Sequence, residues 1–127
     1  MERARRVLIV DDDDGIREVA KMSLELVAGW EVITAPSGAD GIAAAKADRP
    51  DGILLDVMMP ELDGPGTLAR LRADDEIGAT PVIFLTAKVQ TAERTRFVEL
   101  DVSGLIAKPF DPMTLHQQIA ELFGWTS

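Results

Sequence analysis

Apolar residues along this chain fall into two alternating rhythms. Val7-Leu8-Ile9-Val10 is an unbroken β-branched run, the pattern of a strand covered on both faces. From Asp14-Gly15 onward, Ile16, Val19, Ala20 and Ser23 recur at helical spacing and predict an amphipathic helix to about Val27. Gly29 stops it, and Trp30 to Thr34 reads as a second strand. Ser37 caps a helix through the alanine-rich stretch to Ala47, which Arg49-Pro50 breaks. Gly52-Ile53-Leu54-Leu55 forms a third strand ending at Asp56. Asp63-Gly64-Pro65 turns into a helix whose buried side carries Leu68 and Leu71. Val82-Ile83-Phe84-Leu85 is a fourth strand, followed by a helix from about Gln90 to Leu100 that buries Phe97 and Val98. The fifth strand is Gly104-Leu105-Ile106-Ala107. Asp111-Pro112 then caps a last helix carrying Leu115, Ile119 and Leu122, closed by Gly124.

Five strands alternating with five helices predict an α/β fold, a doubly wound five-stranded parallel sheet in a (βα)5 arrangement. Such sheets place their chemistry beyond the carboxyl ends of the strands, near the switch in strand order. The residues standing there are Asp11 and Asp12 after the first strand, Asp56 after the third, Thr86 after the fourth and Lys108-Pro109 after the fifth.

Composition narrows the field. A chain of 127 residues has room for one core. Asp and Glu number 22 against 13 Lys and Arg, a formal charge of −9, which argues against direct binding to nucleic acid or an anionic membrane. With no cysteine there are no disulfides, zinc-thiolate sites or thiol nucleophiles. No apolar run approaches a membrane span and no signal-peptide core follows the basic start, so a soluble, cytoplasmic protein is expected.

Three carboxylates, a hydroxyl and an ammonium aimed at one crevice have a shared chemistry. The carboxylates repel and desolvate at a cost, so a divalent cation is their natural neutraliser. An all-oxygen site with open positions suits Mg²⁺ or Mn²⁺, which take one or two carboxylates plus a phosphate. A carboxylate is also a nucleophile toward phosphorus, giving an aspartyl phosphate whose transfer the metal and lysine would stabilise.

Val7-Leu8-Ile9-Val10-Asp11-Asp12, Ile53-Leu54-Leu55-Asp56-Val57-Met58-Met59-Pro60 with Asp63-Gly64, Phe84-Leu85-Thr86-Ala87 and Lys108-Pro109-Phe110 follow one another across about residues 5–123. In that order and spacing they resemble the receiver domain of the two-component response-regulator family. The resemblance implies a flavodoxin-like receiver fold with Asp56 as phosphoacceptor, charged by a phosphohistidine on a sensor histidine kinase or histidine phosphotransfer protein. It implies that Asp12 ligates Mg²⁺ directly, Asp11 assists and the Met58 backbone carbonyl completes the protein ligands, Asp56 being part of the same metal site. Thr86 would hydrogen-bond a phosphoryl oxygen, Lys108 would pair with it across a cis Lys108-Pro109 bond, and Ala87 would leave the entrance open. The domain would promote only its own phosphorylation and dephosphorylation, without being an enzyme in the ordinary sense.

The same resemblance implies output through protein–protein contacts. The Ile16 helix with Pro109-Phe110 is the expected surface for the phosphodonor. The Gln90–Leu100 helix, fifth strand and last helix are the expected face for a downstream target or a homodimer. Residues 1–127 read as a single receiver domain with no effector domain, either stand-alone or cut from a longer protein.

Other residues have plainer readings. Asp13 and Asp14 fit helix capping, and a calcium loop fails because Val10 and Lys21 would fall at its first and last ligand positions. His116, the sole histidine, is expected exposed, Met58-Met59 are expected to pack, and Trp125 is left open between covering a core edge and mediating contact.

Leu105 stands where many receivers carry Tyr or Phe, so an aromatic switch is absent and the readout is expected in the 86–90 loop and the following helix. Met58 and Lys88 flank the path of an attacking water, and Met58 cannot hydrogen-bond it, so the phosphoryl group is expected to be long-lived. The competing reading is an aspartyl-phosphate phosphatase or phosphotransferase of haloacid-dehalogenase type, which wants an acid two residues past the nucleophile; Met58 stands there instead. A flavin- or nucleotide-binding domain would want a phosphate-cradling first loop in place of Asp11 to Asp14.

Overall fold

In the computed structural model, residues 4–87 and 100–125 are described. The five strands are β1 (Arg6–Val10), β2 (Glu31–Ala35), β3 (Gly52–Asp56), β4 (Val82–Thr86) and β5 (Gly104–Ala107). They form one parallel sheet in the order β2-β1-β3-β4-β5. The described helices are α1 (Asp14–Ala28), α2 (Gly38–Asp48), α3 (Gly64–Arg72) and α4 (Leu115–Phe123). All of the predicted Gln90–Leu100 helix but Leu100 falls within residues 88–99, outside the described residues. So do Lys88, the readout assigned to that helix, and the first component of the proposed dimer face.

Alternate residues of each strand enter opposite layers, as the two-residue period of a pleat requires. Val7, Ile9, Leu54, Ile83 and Leu85 pack with Ala20 and Leu24 of α1 and Leu115 and Ile119 of α4. Leu8, Val10, Ile53, Leu55, Val82 and Phe84 pack with Ala45 of α2 and Leu68 and Leu71 of α3. Every residue of β3 and β4 is buried, which explains their unbroken apolar runs.

Local signals set the helix ends. Ser37 accepts from the Asp40 amide at 3.1 Å and Asp63 from the Gly66 amide at 2.8 Å, while Gly29 and Gly124 close α1 and α4 in the left-handed region. The start of α4 differs from expectation. Asp111 Oδ1 accepts from the Met113 amide at 2.9 Å and so caps a preceding turn, and the helix begins only at Leu115.

Three burial expectations on the helices change. Val19 is 45 % exposed because Ala20, Ser23 and Leu24 form the buried face of α1, leaving Ile16 and Val19 at its margin. Leu122 lies at the surface end of α4, over Gly104 at the sheet edge. His116 is half-buried: its ring stands edge-on to Trp30 at 6.4 Å and its Nδ1 is buried without a hydrogen-bond partner. Trp125 covers a core edge. It packs on Trp30 at 5.4 Å and Phe123 at 4.8 Å, with the Arg5 guanidinium 4.6 Å from its ring.

Gly41 is where α2 meets the sheet most closely. A Cβ there would stand 2.7 Å from a methyl of Val10, the last residue of β1. Gly41→Ala is therefore expected to cost about 1–3 kcal/mol through overpacking, read as a lower urea midpoint at unchanged slope.

Candidate functional site

Parallel strands deliver their carboxyl ends to one rim, and β1 and β3 are neighbours at the point where strand order reverses. Asp56 is the last residue of β3 and Thr86 the last of β4; Asp11 follows β1 directly and Lys108 follows β5. The Asp11 amide donates to the Ala35 carbonyl at 3.1 Å, which carries the β1–β2 ladder one residue into the loop. Asp11 is fully buried, Asp56 and Thr86 nearly so, and Asp12 is exposed.

One carboxylate oxygen from each of Asp11, Asp12 and Asp56 lies within 4.8 Å of the others. Lys108 Nζ reaches past β4 to stand 2.6 Å from Asp11 Oδ2 and 3.1 Å from Asp56 Oδ1. The Lys108-Pro109 peptide is cis, as expected. Three carboxylates less one ammonium leave two negative charges in this rim, all on oxygen, with Asp12 open to solvent. Such a donor set fits a hard divalent cation of the Mg²⁺ type.

Burial is the main reason the Asp56 carboxyl is pushed up to about 6, with the neighbouring Asp11 charge adding to it and Lys108 opposing. Burial pulls the Lys108 ammonium down, but its bonds to Asp11 and Asp56 outweigh this and leave it above the ordinary lysine value.

The loop after β3 is set by two close contacts. The Met58 amide points toward Asp56 Oδ1 at 3.4 Å, and the Gly64 amide donates to the Val57 carbonyl at 2.9 Å. A Cβ on Gly64 would stand 2.7 Å from the Asp56 carbonyl oxygen, so α3 starts against the backbone of the site. Met59 packs in the core, whereas Met58 is 67 % exposed at the mouth; only one of the adjacent methionines fills the packing role expected of both. Beside the site, Ile16, Val19, Ala87, Lys108, Pro109 and Phe110 line a largely apolar groove.

The remaining aspartates of the first loop are accounted for locally. Asp13 Oδ1 accepts from the Ile16 amide at 3.0 Å, the capping role expected of it. Asp14 lies in the first turn of α1 and pairs with Arg17. Sequence reading passed over Arg17, although the acid–base spacing of Asp14 and Arg17 is itself a helix-surface signal.

The raised Asp56 value makes stability depend on pH. Between the ordinary value of 3.8 and about 6, the folded chain holds a proton that the unfolded chain has released, so metal-free stability falls as pH rises through this window. Asp56→Asn removes that charge. In chelator at pH 7.5 it is expected to stabilise the protein by on the order of 2 kcal/mol, the gain fading toward pH 4. Calorimetric melts at the two pH values check this; an equal gain at both would refute it.

Residues 7–120 match the response regulator receiver domain family. The chain is 36 % identical over 118 residues to the "Probable transcriptional regulator ycf27" of Cyanophora paradoxa, covering 93 % of this chain and 48 % of that protein. It is 39 % identical over 113 residues to the transcriptional regulatory protein CseB of Streptomyces coelicolor, covering 89 % of this chain and 47 % of that one. It thus spans about half the length of these curated relatives. Among solved structures, the chemotaxis protein CheY4 of Vibrio cholerae superposes with a TM-score of 0.87 at 31 % identity, over 94 % of this chain and 99 % of that one. The five-stranded sheet, the carboxylate rim and these likenesses lead to one conclusion: the chain belongs to the response regulator receiver domain family of two-component signalling.

Proposed function

We propose that this domain accepts a phosphoryl group from a phosphohistidine onto Asp56 and passes the change on through protein–protein contacts. The observation that carries the reading is the Lys108 ammonium lying against both Asp11 and Asp56, with the exposed Asp12 completing the carboxylate set. Near neutral pH Asp56 is ionised and nucleophilic. One carboxylate oxygen attacks phosphorus; the O–P bond forms as the P–N bond breaks, and the electron pair leaves with the donor imidazole. Lys108 then balances charge on the phosphoryl oxygens, and the Thr86 hydroxyl donates to one of them. Mg²⁺ or Mn²⁺, held by Asp12 and Asp56 with help from Asp11 and the Met58 carbonyl, supplies further positive charge when bound.

A phosphohistidine donor must cover the mouth of the rim to deliver its group. The groove between Ile16, Val19, Pro109 and Phe110 adjoins that mouth and offers apolar surface for such a protein, either a sensor histidine kinase or a phosphotransfer protein. Met58 stands two residues past Asp56 with no proton to exchange, which sets aside the phosphatase reading. The relatives named as transcriptional regulators carry about as much chain again outside the matched part, and any DNA contact in a protein of that design is assigned there, given the −9 charge here.

Incubation with Mg²⁺ and acetyl phosphate, followed by intact mass, is expected to add one phosphoryl group to the wild type and none to Asp56→Asn. Multiple turnover on small phosphoesters would overturn the reading in favour of a hydrolase. Val19→Glu, in the groove, is expected to slow transfer from a phosphohistidine protein roughly tenfold, far more than transfer from acetyl phosphate. Equal slowing with both donors would place the effect in the chemistry and not in docking.

A further inference from the structure

Arg17 turns back from the first turns of α1 over the loop that carries the aspartates. Its side chain is 16 % exposed. Nη1 donates to the Asp11 carbonyl at 2.6 Å, and Nη2 pairs with the Asp14 carboxylate. The guanidinium is planar, so its two arms are fixed relative to each other. Asp14 anchors one arm; the other grips the main chain.

The Asp11 carbonyl and the Asp12 amide belong to one rigid peptide plane. Holding that carbonyl fixes the plane from which the Asp12 side chain departs. The Asp11 side is already pinned: its amide donates to Ala35, Oδ1 accepts from the Asp13 amide at 2.9 Å, and Oδ2 faces Lys108. Asp12 is thus bracketed: the Asp13 amide bond to Asp11 Oδ1 holds the peptide after it and Arg17 holds the peptide before it, so loss of Arg17 frees that first peptide to rotate and turn the Asp12 side chain.

We infer that Arg17 is a positioning residue: by clamping the Asp11 carbonyl it sets the direction in which Asp12 presents its carboxylate to the cation. This rests on the reading of Asp11, Asp12 and Asp56 as the Mg²⁺ site. Charge alone predicts the opposite sign, since a guanidinium near the carboxylates repels a divalent cation and its removal would tighten binding.

Calorimetric titration of Mg²⁺ into the wild type, Arg17→Met and Arg17→Lys at fixed ionic strength separates the two. Arg17→Met is expected to raise the Mg²⁺ Kd about tenfold, the size of effect seen when outer partners of metal ligands are lost. Arg17→Lys keeps the charge but loses the two-armed grip, so its Kd should rise as well. In both variants the metal-free amide resonances of Asp12 and Asp13 should shift, while those of β3 and β4 stay in place. If Arg17→Met fails to fold, Arg17→Lys decides. Variants that bind Mg²⁺ as tightly as the wild type, or more tightly, overturn the role of Arg17 alone. A wild type that takes up no Mg²⁺ overturns the site reading and the inference with it.

Discussion

Asp11 and Asp56 are buried carboxylates at the carboxyl ends of neighbouring strands, and out of water such a pair repels strongly. What holds them side by side is the ammonium of Lys108, 2.6 Å from one and 3.1 Å from the other. That lysine comes from the far edge of the sheet, beyond β4, so the rim depends on the full width from β1 to β5 being in the right order. One ammonium cannot neutralise three carboxylates. Burial, with the residual charge of Asp11 adding to it, leaves Asp56 raised toward neutrality, and the uncompensated carboxylates suit the rim to a cation.

The four consecutive aspartates of the first loop therefore do four different things. Asp11 is held inside by Lys108, Asp13 caps α1 and Asp14 is paired with Arg17. Asp12 alone is exposed beside the rim without such a local duty. A run that looks like surplus acidity is a division of labour imposed by a tight strand-to-helix turn, where each successive residue points a different way.

Much of this was legible beforehand, because the signals are local. Unbroken apolar runs mark strands covered on both faces, and the residue following each run is the one delivered to the rim. Asp11, Asp12, Asp56, Thr86 and Lys108 follow from that rule alone. What periodicity could not supply was depth. Val19 shares the spacing of Ala20 and Ser23 but lies at the margin of the helix face, so it borders the groove and does not enter the core. His116 is drawn inward by Trp30, a neighbour distant in sequence. Met58 and Met59 are chemically identical, and only the backbone turn after β3 decides that one is covered and the other open. The Arg17 grip on a carbonyl leaves no trace in composition, since its acceptor is main chain.

The aromatic cluster at the other pole of the molecule has a practical consequence. Trp30 lies just before β2 and Trp125 just after α4, with their rings 5.4 Å apart and Arg5 stacked on the outer one. Both tryptophans therefore sit at the amino ends of the strands, a strand's length of about 16 Å from the rim. Their ultraviolet emission is a single, coupled signal from the opposite pole. It reports whether Arg5, Trp30 and Trp125 stay stacked together, and it is a thermometer of the fold more than a gauge of the acidic rim.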